Sequence, residues 1–559
     1  MEPLGRPQEG AIARTELALL AVGALVLSLV ASWPLILHLG DSLPDLGFGD
    51  PYLFSWQMAW DAHALVTAPL EILDTNTFWP LSGDLVFQDA FHGFSPLALI
   101  GEGTAAAVIR YNFVYLFAGT LAFIGAYLLA REIGLGPIGA VAAGIAFAYA
   151  PWRIDQHTHI HVISSGGVPL TLFLLLRGYR ARRAGLVLAG WVVATWQMSL
   201  GFTLGIQFAY LLFAIGIVCI VWWLKAGRPQ VAAPLIRATA VGIVLFAGWT
   251  IWQALPYLQL QDRLPEARRT TEELGFYSPG LGGFGAASEN NLLWGEVTEP
   301  VREKLRWPTE QTLFPGVATI VLVALGARFA GLPKRLRSLL VGSLLVTGFL
   351  ALGFGTSAST AVYEVLYEIA PGWDAIRTPG RLMTLATVAS SLLAGAGLQR
   401  LWDARGGHSG RSRPLATGAL IALTAFLWFE GLGTTPLSTP PPVPEAQQLA
   451  RPPILHLPTN GIHDRVYTFW STEGFPEIVN GVGVLDLRHT RELRASVRGF
   501  PDGSSVAMLR ELGARTVIVH LDRLEDPDAW LQAATERARD LGLDERIVGR
   551  SVVYELDDD

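Results

Sequence analysis

Leu17-Ala-Leu-Leu-Ala-Val-Gly-Ala-Leu-Val-Leu-Ser-Leu-Val-Ala-Ser-Trp-Pro-Leu-Ile-Leu-His-Leu39 contains no Lys, Arg, Asp or Glu. At about 1.5 Å per helical residue it is long enough to cross a hydrocarbon core of roughly 30 Å. It lacks a small-residue cleavage site, so it is expected to be a retained span rather than a removable signal. Between Arg14 and Arg110 there is no basic residue, whereas residues 40–93 hold eight acidic side chains. Basic residues gather on the cytoplasmic side of membrane spans. The long segment behind the first span is therefore expected outside, and its carboxylates and tryptophans mark it as the place to look for chemistry.

The rest of the chain agrees with a membrane protein. Hydrophobic residues make up 51% and charged residues 16%, against about 25% charged in ordinary soluble domains. Further apolar stretches of spanning length recur, giving expected spans near 17–39, 112–130, 137–151, 164–178, 184–201, 203–224, 233–254, 313–331, 338–354, 380–399 and 414–434. With these eleven spans, each basic cluster lands inside: Arg6/Arg14, Arg131, Arg177/Arg180/Arg182/Arg183, Lys225/Arg228, Lys334/Arg335/Arg337 and Arg400/Arg405/Arg411/Arg413. Segments 40–111, 152–163, 255–312, 355–379 and all residues after 435 then lie outside. Phe94–Ile109 would upset this parity if it spanned. Its Pro96, Gly101, Glu102 and Gly103 favour an interfacial or re-entrant piece.

The expected fold class is thus a polytopic α-helical membrane protein of about 11 transmembrane helices, with a long first outer loop and a small C-terminal α/β domain. The membrane domain covers 1–435, with outer loops 40–111 and 255–312. A Pro-rich linker runs over 436–442 and the soluble domain over 443–559. In that domain Val466–Trp470, Thr516–Leu521 and Ser551–Leu556 read as strands and Asp526–Leu541 as a helix. There is no internal repeat. The single cysteine, Cys219, lies in an apolar run, which excludes a disulfide framework or a cysteine metal site. The arginines are scattered through short loops, so nucleic acid is not an expected partner.

In the first loop, Gly49-Asp-Pro-Tyr-Leu-Phe-Ser-Trp-Gln-Met-Ala-Trp-Asp-Ala-His63 begins with a helix-start signal, Asp50 as cap and Pro51 in the first turn. Helical spacing puts Asp50, Gln57 and Asp61 on one face and Tyr52, Trp56, Trp60 and His63 on an adjacent one. The helix is expected to lie on the outer surface at the headgroup level. Asp50 reads equally as a plain helix cap. Asp41 and Asp45 read as turn formers, and Asp74, Asp84 and Asp89 as solvated loop residues.

These stretches, with Asn76-Thr-Phe-Trp-Pro80, resemble bacterial GT-C superfamily membrane proteins, the mannosyltransferase-like enzymes that use lipid-linked sugar donors. The resemblance continues at Ala150-Pro-Trp-Arg-Ile-Asp-Gln-His157, Leu313-Phe-Pro-Gly316, Pro371-Gly-Trp-Asp-Ala-Ile-Arg-Thr-Pro-Gly-Arg381, Val479-Asn-Gly481 and Leu512-Gly-Ala-Arg-Thr-Val-Ile-Val519. It covers most of the chain and speaks more to architecture than to reaction. It implies sugar transfer from a polyprenyl-phosphate donor to an envelope glycan, lipid or protein acceptor. The place implied is the outer face of a bacterial plasma membrane, with the tail domain extracytoplasmic. A first-loop carboxylate then acts as general base, and Asp50 is the matching position. Many members carry an Asp-Glu pair there, whereas Asp50 is followed by proline, so either a lone base or a helper at Asp61 is needed.

The leaving lipid phosphate calls for cations near the membrane surface. Arg153, Arg377 and Arg381 are the candidates, with Arg268 and Arg269 secondary; each reads alternatively as a snorkelling arginine. His63, His157 and His159 are candidates for hydrogen bonding to substrate. His157, His159 and His161 alternate, so an extended segment would put them on one face. There they could, with Asp155, hold a divalent metal; the resemblance implies such a metal in some relatives and not in others. Tyr257, Phe276, Tyr277, Trp294 and Trp307 in the second outer loop could stack on sugars or anchor the interface. The competing classes are a transporter or flippase of lipid-linked saccharide and a non-catalytic scaffold for envelope assembly.

Overall fold

A computed structural model describes residues 12–95, 101–264, 267–405, 412–485 and 487–556. The chain forms two compact units: Met1–Ile36, Val114–Ala254 and Arg268–Thr435 make the first, and Leu37–Phe113, Leu255–Ala267 and Pro436–Asp559 the second. The expected first loop and the tail therefore fall in one unit.

Among the described residues six helices are long and apolar enough to cross a membrane: Arg14–Ala31, Gly103–Glu132, Ile160–Arg180, Phe202–Lys225, Ala233–Arg263 and Pro379–Ala404. Pro137–Ala148, Ala184–Ser199, Val317–Phe329 and Arg413–Phe429 are shorter apolar helices, and Lys334–Ala351 completes the series. The chain is a multi-pass membrane protein by this pattern. Each expected span overlaps one of these helices. The second begins earlier than expected, at Gly103, and so takes in the end of Phe94–Ile109. The rest of that stretch lies largely outside the described residues.

In the first unit, the helix Met383–Ala404 is buried at every position from Met383 to Leu398. Hydrophobicity all round is what a helix enclosed by other helices requires. Small residues allow its neighbours to come close. A side chain at Gly326 would collide with the Leu393 carbonyl, and one at Gly139 with the Gly395 carbonyl, the close backbone approach that small residues allow between membrane helices. At the start of Arg14–Ala31, Glu16 accepts from Arg131 Nε at 2.8 Å and from the Tyr127 hydroxyl at 2.7 Å.

The second unit is built on a four-stranded sheet, β1 (Ile454–Leu457), β2 (Thr516–His520), β3 (Asp544–Val548) and β4 (Ser551–Glu555), in the order β1-β2-β4-β3. β1 runs parallel to β2, and the other pairs are antiparallel. The expected strands at 516 and 551 and the helix (Pro527–Asp540) are present. Val466–Trp470 is instead the end of a helix, His463–Trp470, and the strand lies earlier, at Ile454. First-loop backbone joins this unit directly: Phe78 N donates to Asn480 O at 3.0 Å, and Ile478 N to Asn76 O at 2.8 Å.

Asp84 is not solvated, as expected, but 1% exposed. Its carboxylate accepts from Thr75 N at 2.8 Å and from the hydroxyls of Thr75 and Thr77. Burial outweighs those bonds and pushes its pKa up to about 7. A folded value above the unfolded one favours the fold in the protonated form. That stabilisation is complete below about pH 4 and is lost as pH rises through about 7. The melting temperature of Asp84→Asn should accordingly depend less on pH than that of the wild type between about pH 5 and about pH 8. Parallel profiles would refute the assignment.

Candidate functional site

The first-loop helix, Asp50–Thr67, is present, but Gly49 takes the capping position and no side chain caps the helix. Asp50 is thereby released from the capping role. Its Oδ1 lies 3.3 Å from Arg465 Nη2, the two side chains being 30% and 26% exposed. Arg465 is held by its own helix, His463–Trp470, donating from Nη1 to Gly461 O at 2.8 Å. The two helices pack through Tyr52 and Phe469, whose rings meet edge-on at 5.4 Å.

The helix is not laid on a surface, since most of its residues are buried. Trp56 donates to Asn76 Oδ1 at 3.0 Å and Trp60 to Ile72 O at 3.0 Å, so these tryptophans serve the unit's core rather than a lipid interface. His63 stacks on Phe475 at 4.4 Å. Asp61 is fully buried, with Oδ2 3.4 Å from His92 Nδ1. Eleven residues along a helix separate it from Asp50, about 16 Å of rise. A helper acting on the same hydroxyl as Asp50 cannot sit there, and Asp61 instead serves His92. Asp45 is a turn former, as expected, accepting from Gly49 N at 2.5 Å. Burial raises its pKa to about 6 against those backbone bonds.

In the other unit, a buried network centres on Glu310, a residue the sequence did not single out. Its carboxylate accepts from Arg381 through Nε at 3.1 Å and through Nη2. Gln156 Nε2 lies 3.3 Å away and His159 Nε2 3.5 Å. Burial would raise the Glu310 pKa, but Arg381, His159 and Arg377 together hold it down to about 2. Arg381 also donates from Nη1 to His161 Nε2 at 2.9 Å. Arginine only donates, so that imidazole nitrogen carries no proton. The bidentate grip offsets the charge of Arg381. Arg377 is half-buried and rests its guanidinium over the Tyr277 ring, 4.9 Å from the centroid. Both it and Arg381 act electrostatically on Glu310. Arg269 is engaged with Glu273 at 2.9 Å, and Arg268 is exposed.

The three alternating histidines do not share a face. Residues 151–156 wind as a 3-10 turn and 160–163 as a helical turn, because backbone bonds such as His159 N to Gln156 O curl the segment. His159 and His161 meet Glu310 and Arg381, whereas His157 donates from Nδ1 to Ile154 O at 2.8 Å. Asp155 is taken up by Ser288 at 2.5 Å and by Thr312. Burial raises its pKa to about 6 against those two bonds. Among the described residues no three metal-ligating side chains converge.

Among the described residues Arg153 makes no hydrogen bond to this network, and it lines a cavity of about 100 Å³ with Tyr115, Tyr149 and His157. Glu430, also unanticipated, is buried and accepts from Val317 N and Ala318 N, both at 2.8 Å, and from Trp294 Nε1 at 3.0 Å. A carboxylate at the N-terminus of Val317–Phe329 meets unpaired N–H groups and the positive end of the helix dipole. One weak signal pointed to Glu310: it is the lone acidic residue between Arg306 and the Leu313-Phe-Pro-Gly316 motif. Nothing local marked Arg465 or Gln156.

No family model and no curated protein matches the chain. Among solved structures it is similar to the arabinofuranosyltransferase AftD from Mycobacteria, with a TM-score of 0.61 and 18% identity, covering 99% of this chain and 40% of that one. A mutant form of AftD matches at a TM-score of 0.60 and 15% identity, over 98% and 42%. ArnT from Cupriavidus metallidurans, bound to undecaprenyl phosphate, aligns at 16% identity over 98% and 99%, but a TM-score of 0.38 carries no argument. The chain spans about 40% of the length of AftD. The likeness to AftD is one of fold.

Proposed function

We propose that this chain is a membrane glycosyltransferase. It moves a sugar from a polyprenyl-phosphate-linked donor to an envelope glycan, lipid or protein acceptor at the outer face of the membrane. The observation that carries the reading is Asp50: a part-exposed carboxylate at the start of the first-loop helix, relieved of capping by Gly49 and steadied by Arg465. The fold shared with a sugar transferase, AftD, supports the reaction class.

In this reaction Asp50 takes the proton of an acceptor hydroxyl, whose oxygen bonds to the anomeric carbon of the donor sugar. The bond from that carbon to the phosphate oxygen breaks, and its electron pair leaves on the lipid phosphate. Within the other unit, Arg377 has the charge to bind a phosphate, because the charge of Arg381 is already offset by Glu310. His159 and Arg381 keep the shape of this cation cluster, and His63 offers a ring nitrogen to sugar hydroxyls. A guanidinium suits a phosphate because its planar fork can donate twice.

Reconstituted protein should transfer sugar from a polyprenyl-phosphate donor and not from a nucleotide sugar. Product formed from nucleotide sugar alone, or no product from any lipid-phosphate sugar, would count against the reading.

A further inference from the structure

The cavity at Arg153 has a composition the transfer reaction does not explain. Arg153 is buried, 6% exposed. It spends Nη1 on Ser165 Oγ at 3.0 Å and Nη2 on Ile163 O at 2.7 Å. Its guanidinium lies near the Phe147 and Trp152 rings, 5.6 and 5.8 Å from their centroids. Among the described residues no Asp or Glu pairs with it. Burial accordingly lowers its pKa to about 10. A buried charge without a counter-charge is costly.

The walls of the cavity suit a guest that accepts hydrogen bonds. The Tyr149 hydroxyl is buried and makes no well-formed hydrogen bond, the adjacent Ser28 hydroxyl being given to Leu116 O at 2.9 Å. His157 commits Nδ1 to Ile154 O, leaving Nε2 buried without a hydrogen-bond partner. Burial lowers the His157 pKa, and an incoming anion would favour its protonated form, which donates from Nε2. Gly431 and Gly433 complete the cradle: a side chain at Gly431 would collide with the Tyr149 carbonyl, and one at Gly433 with Asn290 O and Ile154. Ser28, Ala31 and Ser32, at the end of the first span, close one side. Charge parity assigns all these helix ends to one membrane face, the depth at which lipid phosphates lie.

We infer that this cavity is an accessory phosphate site, in which Arg153, Tyr149 and His157 bind the phosphate of a membrane-lipid headgroup or a free phosphate ion. The site stands apart from sugar transfer and does not depend on Asp50. Arg153 supplies the charge, and a cavity of about 100 Å³ has room for a tetrahedral oxyanion.

Purified full chain should melt at a higher temperature with phosphatidylglycerol vesicles than with phosphatidylcholine vesicles, or should do so with inorganic phosphate alone. The first result identifies a lipid headgroup and the second a free ion. Arg153→Gln should abolish the rise, Arg153→Lys should retain part of it, and Tyr149→Phe should weaken it. Asp50→Asn should leave it intact, which separates this site from the transfer reading. If Arg153→Gln fails to fold, Tyr149→Phe and Arg153→Lys decide: an undiminished rise in both overturns the site. So does a wild-type protein indifferent to phosphatidylglycerol and phosphate, or one that responds only to polyprenyl phosphate, since the cavity would then be the donor's own.

Discussion

Asp50→Asn protein should fold, insert and melt close to the wild type, yet lose transfer activity by about 10²- to 10⁴-fold, the usual worth of a positioned general base. Folding survives because the helix start does not use this side chain: Gly49 holds the capping position and Pro51 fixes the first turn. The pair with Arg465 is part-exposed, and such ion pairs contribute about 0–1 kcal/mol. The amide keeps the shape of the carboxylate but cannot take a proton. Asp50→Glu keeps the proton acceptor and displaces it by one methylene. It should retain more activity than the amide and less than the wild type, since misplacement by about 1 Å can cost about 10²-fold. The measurement is turnover in proteoliposomes alongside thermal melting. Wild-type turnover by Asp50→Asn would end Asp50's candidacy, and joint loss of turnover and melting would reduce the residue to a structural one.

Much of this arrangement was legible in the sequence, and the failures share a cause. Long apolar stretches located the helices because membrane insertion acts on local composition. Gly49-Asp-Pro located the first-loop helix for the same reason. Val466-Tyr-Thr-Phe-Trp470 has the β-branched and aromatic content of a strand. It forms a helix because Val466, Tyr467, Phe469 and Trp470 are all buried against neighbours that local propensity does not see. Asp84 looked solvated because its donors, Thr75 and Thr77, lie several residues back along the chain. The histidines looked like one ligand face because alternation implies an extended chain, whereas the chain curls there. Glu310 was invisible as a site residue because its partners, Gln156, His159 and Arg381, come from two other segments. Sequence pattern reports what a residue does with its neighbours in the chain; charge networks are assembled across it.

Glu310→Ala should therefore be the most destabilising single change in the candidate site. The wild-type carboxylate takes two bonds from Arg381 and faces Gln156 and His159 in a buried setting. Deleting it leaves the Arg381 guanidinium enclosed and unpaired, and breaking a buried pair in this way typically costs about 3–5 kcal/mol. Glu310→Gln keeps the volume and can still accept from one arginine nitrogen, so it should lose less. Removing both charges, as in Glu310→Gln with Arg381→Met, should recover stability relative to Glu310→Ala, because the unmatched cation is gone. The pH dependence follows from the same grip. The Glu310 pKa is held near 2, below its ordinary 4.5, so its stabilisation is complete above about 4.5 and fades as pH falls toward 2. Wild-type melting should drop across that interval more steeply than that of Glu310→Gln. Activity supplies the second readout: if Arg381 and His159 chiefly shape the surroundings of Arg377, the folded Glu310→Gln protein should bind the lipid-phosphate donor more weakly, raising KM more than it lowers kcat. A Glu310→Ala protein that melts like the wild type would show that the carboxylate is not the hub of this network.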